Sequence, residues 1–496
     1  MTLKSEEDLE IPTEPGIPLK RLPISVTGDS RRVITRPFLM NAHRVSTLLE
    51  RLDGLDESAV EEELREVYAS YEQRHDDLPE RFLEHFQTGA RLVKFDKPWS
   101  GKRQLLGGAY MTMEYAIDAA ALFNPSIVAH PDQTGAAPGA VRILMSLRAT
   151  GEGHVSSLVF RTGTIDGGGE LTLDPPPRRF YTARIAPDRQ YNKSLYRQKL
   201  AEMVIAGEVV DQVLSEVPDL FTLPQIAEVV TRHLFEAAPA GERDLALRTI
   251  LSIAQSNYHV DIDVKAPLSE LVIFPLSTDE SHGIEDVRLT RFVADDGKVT
   301  YYGTYTAYNG ARVLPMLMST TNFRRFEFHS LNGSGAANKG MALFPRKIGG
   351  RFVMCTRIDG ENLFISTSDA VHFWNDPQLL VKPKFPWELM QIGNCGAPIE
   401  TPEGWILLTH GVGPVRTYAI GAMLLDLQDP LKIRGHLREP LIVPEGEERE
   451  GYVPNVVYTC GAMLHGKNLY IPYAKADHSA SVAVVPVAAL LKRLLS

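Results

Sequence analysis

The chain has 496 residues, 44% hydrophobic and 23% charged, with a net charge of −10, a globular composition long enough for two or three folding units. That charge excludes a nucleic-acid partner, which requires a concentrated basic surface. Cys355, Cys395 and Cys460 stand too far apart for a zinc site or disulfide framework, and no apolar run of about 18 residues offers a membrane span.

Residues 1 to about 35 are rich in Pro and charge and read as an extended arm, acidic at its start and without an apolar leader, so a cytoplasmic location is expected. From Asn41 to about Lys94, Val45, Leu48, Leu49 and Leu52 recur at helical spacing, and a second helical run follows from Ser58. A further turn or helix is expected within 100–118. Strand character begins at Ala121, passes a Pro/Gly loop at Thr134 to Gly139, and continues in runs from Val141 and Val155. A helical block then spans about Asp188 to Tyr258, with Leu200, Met203, Val204, Ile205, Ile226, Val229, Val230, Leu234 and Leu245 to Ile253 as its apolar positions. It carries no chemistry of its own and reads as a packing or subunit-contact element.

From Ile262 onward the chain repeats. Polar residues open an apolar strand at Glu285-Asp286, Asn338-Lys339, Asn394 and Asn455, spaced 52, 56 and 61 residues apart from Asp286 onward. Each opening leads through a Gly-containing turn to a second, aromatic-rich strand. Phe123-Asn-Pro-Ser supplies a fifth opening, displaced upstream by the helical block. A period of about 50–60 residues with three or four strands per unit predicts a mainly β fold, a five-bladed β-propeller with an N-terminal helical region and a helical insertion. The expected division is 1–110 for the arm and helical region, 111–187 for the first blade, 188–260 for the insertion and 261–496 for the remaining blades.

Inner strands of a propeller line one central funnel, so its blade openings converge. The expected cup holds Asn124, Ser126, Glu285, Asp286, Arg288, Asn338, Lys339, Asn394 and Asn455, joined at second-strand ends by Arg148, Tyr305, Arg357, His410 and Asp477. Strand alternation puts Asp286 and Arg288 on one face and turns Glu285 to the other. Carboxylates and amides suit sugar hydroxyls, and Arg and Lys suit a small anion.

At these openings the chain resembles glycoside hydrolase family 130, the β-mannoside phosphorylases and related mannosidases. The matching pieces are Phe123-Asn-Pro-Ser-Ile-Val with Ser146-Leu-Arg-Ala, Gly283-Ile-Glu-Asp-Val-Arg, Asn338-Lys-Gly-Met-Ala-Leu-Phe-Pro, Gly396-Ala-Pro-Ile-Glu-Thr-Pro-Glu-Gly-Trp with Thr409-His-Gly-Val, Gly421-Ala-Met-Leu-Leu-Asp, and Val453-Pro-Asn-Val-Val-Tyr with Tyr473-Ala-Lys-Ala-Asp. The family's Glu-Asp-Pro-Arg stands here as Glu-Asp-Val-Arg. The resemblance implies a five-bladed propeller and an inverting phosphorylase that cleaves β-mannosides with inorganic phosphate to give α-mannose 1-phosphate. Asp286 is then the general acid, acting through a hydroxyl of the mannosyl unit. Lys339, Arg357 and His410 are the candidate phosphate ligands, while Asn124, Ser126, Arg148, Glu285 and Asp477 are the candidate sugar ligands. No metal or organic cofactor is implied, phosphate being a co-substrate. The expected partners are a β-linked manno-oligosaccharide or mannoside and phosphate, with the helical additions as candidate homo-oligomer contacts. An inverting β-mannosidase would need a second carboxylate to activate water, for which Glu400 and Glu285 are the nearest candidates. A non-catalytic carbohydrate-binding propeller is the third reading, because fold alone does not imply catalysis.

Overall fold

A computed structural model describes residues 16–177, 179–185, 190–202, 207–236, 241–262 and 266–496. Met203, Val204 and Ile205 of the expected helical block, and residues 1–15 of the expected arm, lie outside these.

The N-terminal helical region opens where the sequence supplies caps. Asn41 accepts the Arg44 N–H to start α1 (Ala42–Asp53), and Asp56 accepts the Ala59 N–H to start α2 (Glu57–Tyr71). Next come α3 (Leu78–Leu92) and α4 (Gly101–Tyr110), the latter capped by Ser100. Val45, Leu49, Leu52, Val60, Phe86 and Leu106 share one buried cluster, which is the face the apolar spacing foretells. The second helical block comprises α5 (Lys193–Glu202), α6 (Glu208–Ser215), α7 (Leu223–Glu236) and α8 (Glu242–Gln255), and has its own core of Leu200, Val213, Phe221, Ile226, Val230, Leu247 and Ile250. Two expectations fail here. Leu245 is 67% exposed rather than buried, and Tyr258 begins a strand, Tyr258–Asp261, that pairs with Arg325–Ser330.

Most of the described β strands fall into five antiparallel sets of four or five strands, the first two joined in one larger sheet. The first runs Ala121–Ala129, Val141–Thr150, Ser156–Ile165 and Leu171–Leu173. The second runs Gly283–Val293, Val299–Tyr308, Val313–Thr320 and Arg325–Ser330. The third runs Ala342–Leu343, Phe352–Thr356, Leu363–Ser368 and Gln378–Val381. In the fourth, Gln391–Asn394 and Ile399–Thr401 share the edge of Gly404–Val412, followed by Tyr418–Leu425 and Ile433–His436. In the fifth, Val457–Tyr458 and Met463–His465 flank Asn468–Lys475, which pairs with Ser479–Pro486. The outermost strand of that set is Lys20–Arg21, supplied by the N-terminal arm.

Alternating apolar residues make both faces of these sheets sticky, and each sheet buries them against two neighbours. Phe160 of the first packs with Met316 of the second, and Phe292 of the second with Met354 of the third. Val353 of the third joins Trp405 of the fourth, Leu408 of the fourth joins Leu469 of the fifth, and Tyr470 of the fifth returns to Met145 of the first.

Short 3-10 turns ahead of three innermost strands carry buried or half-buried acids. Glu280 accepts from Tyr258 Oη and Tyr305 Oη as well as the Leu276 and Ser277 N–H groups. Glu388 accepts the Lys384 and Phe385 N–H groups, and Glu448 accepts from Tyr473 Oη. Tyr305 therefore belongs to the fold and not to the expected cup. Its hydroxyl is drawn to Glu280 because both are buried, and an unpaired carboxylate there would be costly. Ser277-x-x-Glu280 is a capping-box pattern, the signal by which this acid was readable.

Candidate functional site

The innermost strands touch one another in turn at their openings. Leu289 N–H donates to Ser126 Oγ at 3.1 Å, joining the first and second sheets. Arg288 Nη1 reaches Met341 O at 3.3 Å, and Asn394 Nδ2 reaches Gly340 O at 2.6 Å, carrying the contact through the third to the fourth. A Cβ on Gly396 would come within 2.3 Å of Cys460 O in the fifth, and Cys460 N–H donates to Pro125 O of the first at 2.8 Å. Further along the same strands, residues of four sets, with Pro345 just past the third, line one cavity of about 300 Å³. Its lining includes Val128, Thr290, Pro345, Glu400 and Leu464.

Asp286 occupies the opening of Gly283–Val293 in a left-handed backbone conformation with φ +54°, and Asn124 does the same in the first sheet with φ +48°. Both strands are bulged there, between Phe123 and Ser126 and between Glu285 and Arg288. A bulge adds one residue and re-aims the side chains beside it, and non-Gly residues hold such angles only where surrounding contacts enforce them. This overturns the expected alternation. Glu285 does not turn away, because Arg148 bridges both carboxylates, with Nη2 2.8 Å from Glu285 Oε1 and Nη1 3.3 Å from Asp286 Oδ1.

Arg148 is fixed by Ser156 Oγ, which accepts from its Nε at 2.8 Å, and by the Phe123 ring, 5.1 Å from its guanidinium carbon. Asn124 Nδ2 donates to Asp286 Oδ1 at 2.7 Å. Burial pushes the Asp286 carboxyl up, but Arg148, the Asn124 amide, Lys339 and Arg288 together outweigh it and hold the group below its ordinary range. Its side chain remains 20% exposed, so a ligand can reach it. Asp477 shows the opposite balance. Burial first, then the Asp286 charge, drive its carboxyl up to about 6 against the pull of Arg148 and Arg416.

The cations gather beside Asp286. Arg288 and Arg357 are both buried and both pack around Gly340, where a Cβ would lie 3.2 Å from Arg288 Nη1 and 3.3 Å from Arg357 Cδ. Arg288 also donates to Tyr458 Oη, and Arg357 Nη2 donates to Gly360 O at 2.7 Å. The Nε of each guanidinium is buried without a hydrogen-bond partner among the described residues. Two adjacent buried cations with unused donors have the charge and donors to attract an anion. Lys339 lies near enough for its charge to bear on both Asp286 and His410.

Several expected members take other work. His410 is not a cation: burial, then the charges of Arg357 and Arg288, push its imidazole well below its ordinary range. Its Nδ1 donates to Asn394 O at 3.2 Å, which leaves Nε2 to accept from Arg357 Nη1 at 3.3 Å. Its effect on an anion is thus indirect, through the orientation of Arg357. Ser126 is fully buried and spends its hydroxyl oxygen on Leu289, so it fastens two strands instead of facing a sugar. Asn394 is likewise spent on Gly340 and Gly396, and Asn455 accepts from Arg449 Nε at 3.0 Å. Asn338 holds φ +64° at the turn before Lys339. Glu400 pairs with Arg346 at 2.7 Å and lines the far cavity with Thr290 and Arg291, four to five residues beyond Asp286 and so roughly 15 Å along the strand.

A reachable carboxyl held by an arginine, beside buried cations where five sets of β strands meet, is the candidate active site. Comparison with known proteins names the group. A family model described as β-1,4-mannooligosaccharide phosphorylase, that of glycoside hydrolase family 130, matches residues 249–495. The chain is 36% identical over 212 residues to a 1,2-β-oligomannan phosphorylase of Thermoanaerobacter sp. (strain X514), covering 42% of this chain and 69% of that one. It is 28% identical over 249 residues to a β-1,2-mannobiose phosphorylase of Listeria innocua, covering 49% and 67%. A solved Listeria innocua β-1,2-mannobiose phosphorylase in complex with β-1,2-mannobiose aligns with 77% of this chain and 93% of its own, at TM-score 0.44 and 20% identity. This chain belongs to glycoside hydrolase family 130.

Among the described residues no group of three His, Cys, Asp or Glu could hold a metal ion, and no helix is long and apolar enough to cross a membrane.

Proposed function

We propose that this protein is an inverting β-mannoside phosphorylase, built as a five-bladed β-propeller whose funnel opens at Asp286. The propeller reading is supported by the five inter-sheet cores and by the circuit of inner-strand contacts that returns from Cys460 to Pro125. It divides the chain into 1–110, a first blade at 111–187, the insertion at 188–260 and four blades at 261–496.

The observation that carries the activity is the pairing of one reachable carboxylate, Asp286, with Arg288, Arg357 and Lys339 at the same opening. Phosphate needs fixed positive groups and no protein base, whereas water needs a second carboxylate about 6.5–9.5 Å from the acid. Neither acid considered for that role is free for it: Glu285 is held by Arg148 and Glu400 is paired far along the strand.

In the resting site Arg148 keeps Asp286 ionised, so the proton arrives with monohydrogen phosphate. One phosphate oxygen forms the bond to the anomeric carbon as the glycosidic C–O bond breaks. The proton that monohydrogen phosphate brings passes to Asp286 and on through a mannosyl hydroxyl to the leaving oxygen, so Asp286 ends ionised as it began. Substrate and product then carry the same net charge. Asn124, Arg148, Glu285 and Asp477 grip the mannosyl ring, and no organic cofactor or metal takes part.

Inverting hydrolysis is the second reading, and the observation favouring it is Asp477, a further carboxyl in the field of Asp286. Incubation with β-linked manno-oligosaccharides, with and without phosphate, separates the two. Phosphorolysis yields mannose 1-phosphate only when phosphate is present, hydrolysis yields free mannose without it, and a binding protein yields neither.

A further inference from the structure

We infer that Tyr452 and His154 form a stacking platform for the sugar on the leaving-group side of the scissile bond, an inference that rests on the phosphorylase reading. Their rings come from loops 298 positions apart, yet lie with centroids 5.5 Å apart and planes 24° from parallel, Tyr452 Oη approaching His154 Nδ1 at 3.4 Å. Each loop is anchored to one side of the cup. His154 stands two residues before Ser156, the residue that fixes Arg148. Tyr452 stands next to Val453, whose N–H donates to Ala476 O at 2.9 Å, immediately before Asp477. The pair therefore bridges the rim above Arg148 and Asp286 on one side and Asp477 on the other.

Neither ring is committed to the core. Tyr452 is 62% exposed, His154 is exposed as well, and His154 holds a left-handed backbone with φ +58°. An exposed ring pair held by a strained residue at a cleft is the pattern of a binding surface rather than of packing. Aromatic rings with polar tips fit a sugar, whose C–H face packs on the ring while its hydroxyls meet the phenol and imidazole. The mannosyl unit undergoing transfer must sit deeper, against Asp286. The rim platform thus takes the next sugar, which leaves in phosphorolysis and accepts in synthesis.

The test runs the reaction in the synthetic direction, with α-mannose 1-phosphate as donor and mannose or β-mannobiose as acceptor. For Tyr452→Ala and His154→Ala the acceptor KM is expected to rise about tenfold, with the donor KM within twofold of the parent, and Tyr452→Phe is expected to restore most of the acceptor affinity. An acceptor KM that does not move, or donor and acceptor KM values that rise together, overturns the platform. Ligand-observed NMR of β-mannobiose gives a readout independent of turnover. If the parent enzyme makes no mannose 1-phosphate, the phosphorylase reading fails. The platform then stands if Tyr452→Ala loses contacts to the reducing-end sugar, and falls if it keeps them.

Discussion

The Nη1 of Arg148 lies 3.3 Å from Oδ1 of Asp286, and the same guanidinium holds Glu285 through its other nitrogen at 2.8 Å. One cation thus pairs with two acids and is the largest downward pull on the one that a substrate can reach. Asp286→Asn keeps the shape and the Asn124 contact but cannot carry a proton. Phosphorolysis is expected to fall by about 10²- to 10⁴-fold, read as kcat on a β-mannobiose substrate, and a rate within tenfold of the parent would remove Asp286 from the acid role. Arg148→Gln removes the main downward pull on Asp286, so its carboxyl rises. The acidic limb of the kcat/KM profile should move to higher pH, and a limb that stays in place would show that Asp286 does not govern it.

Lys339→Ala and Arg357→Ala each take one positive group from the proposed anion site. The phosphate KM is expected to rise by an order of magnitude or more for each, about 1.5–3 kcal/mol for a charge-assisted contact, while the mannoside KM changes little. His410→Asn should act more weakly, because the neutral imidazole reaches the anion only through Arg357. Initial rates over a phosphate series settle the order.

Asp477 gives a stability signature. Its carboxyl titrates at about 6 in the folded chain against an ordinary value of 3.8. Between those values the folded state holds a proton that the unfolded state has lost, so this group makes stability fall as pH rises from about 4 to about 6. Asp477→Asn removes that loss. The variant is expected to be more stable than the parent at pH 7.5, by about 1–3 kcal/mol, with a difference that shrinks toward pH 4. Urea denaturation at both pH values measures it, and equal gaps at the two would contradict the assignment.

Asp279 joins the helical insertion to the strand that presents Asp286. It is buried and accepts hydrogen bonds from Ser252 and Ser256 of α8 and its C-terminal end, and from Arg312 at 2.7 Å. Burial pushes its carboxyl up, but these donors hold it below its ordinary range. Asp279→Ala leaves Ser252 Oγ without its acceptor while Arg312, 43% exposed, turns to solvent, and should cost about 1–3 kcal/mol. Faster proteolysis within 190–255 is the accompanying readout. A variant as stable and as protease-resistant as the parent would show that the insertion is not braced there.

The order of helical and β segments and the nearness of Asn124, Arg148 and Asp286 were legible in the chain. Helical spacing, caps and glycine turns act over a few residues, so they survive without knowledge of the fold. The acid in the turn before the second opening is readable too, from the capping pattern Ser277-x-x-Glu280. What escaped is what a single backbone angle or a distant neighbour controls. The bulge at Asp286 breaks a strict period of two and brings Glu285 to the same arginine as Asp286. Nor does the chain by itself show that burial beside Arg357 keeps His410, a candidate phosphate ligand, uncharged.

By itself the sequence determined that the chain is mainly β with two helical additions, that it repeats, and which functional groups stand at each repeat. The tertiary structure alone decided which of those groups meet. Pairings such as Lys20–Arg21 with Ala483 and Val484, or Tyr452 with His154, join positions hundreds of residues apart. The physical reason is that sheet packing and burial select partners by position in space, and they set each group's charge by its neighbours rather than by its place along the chain.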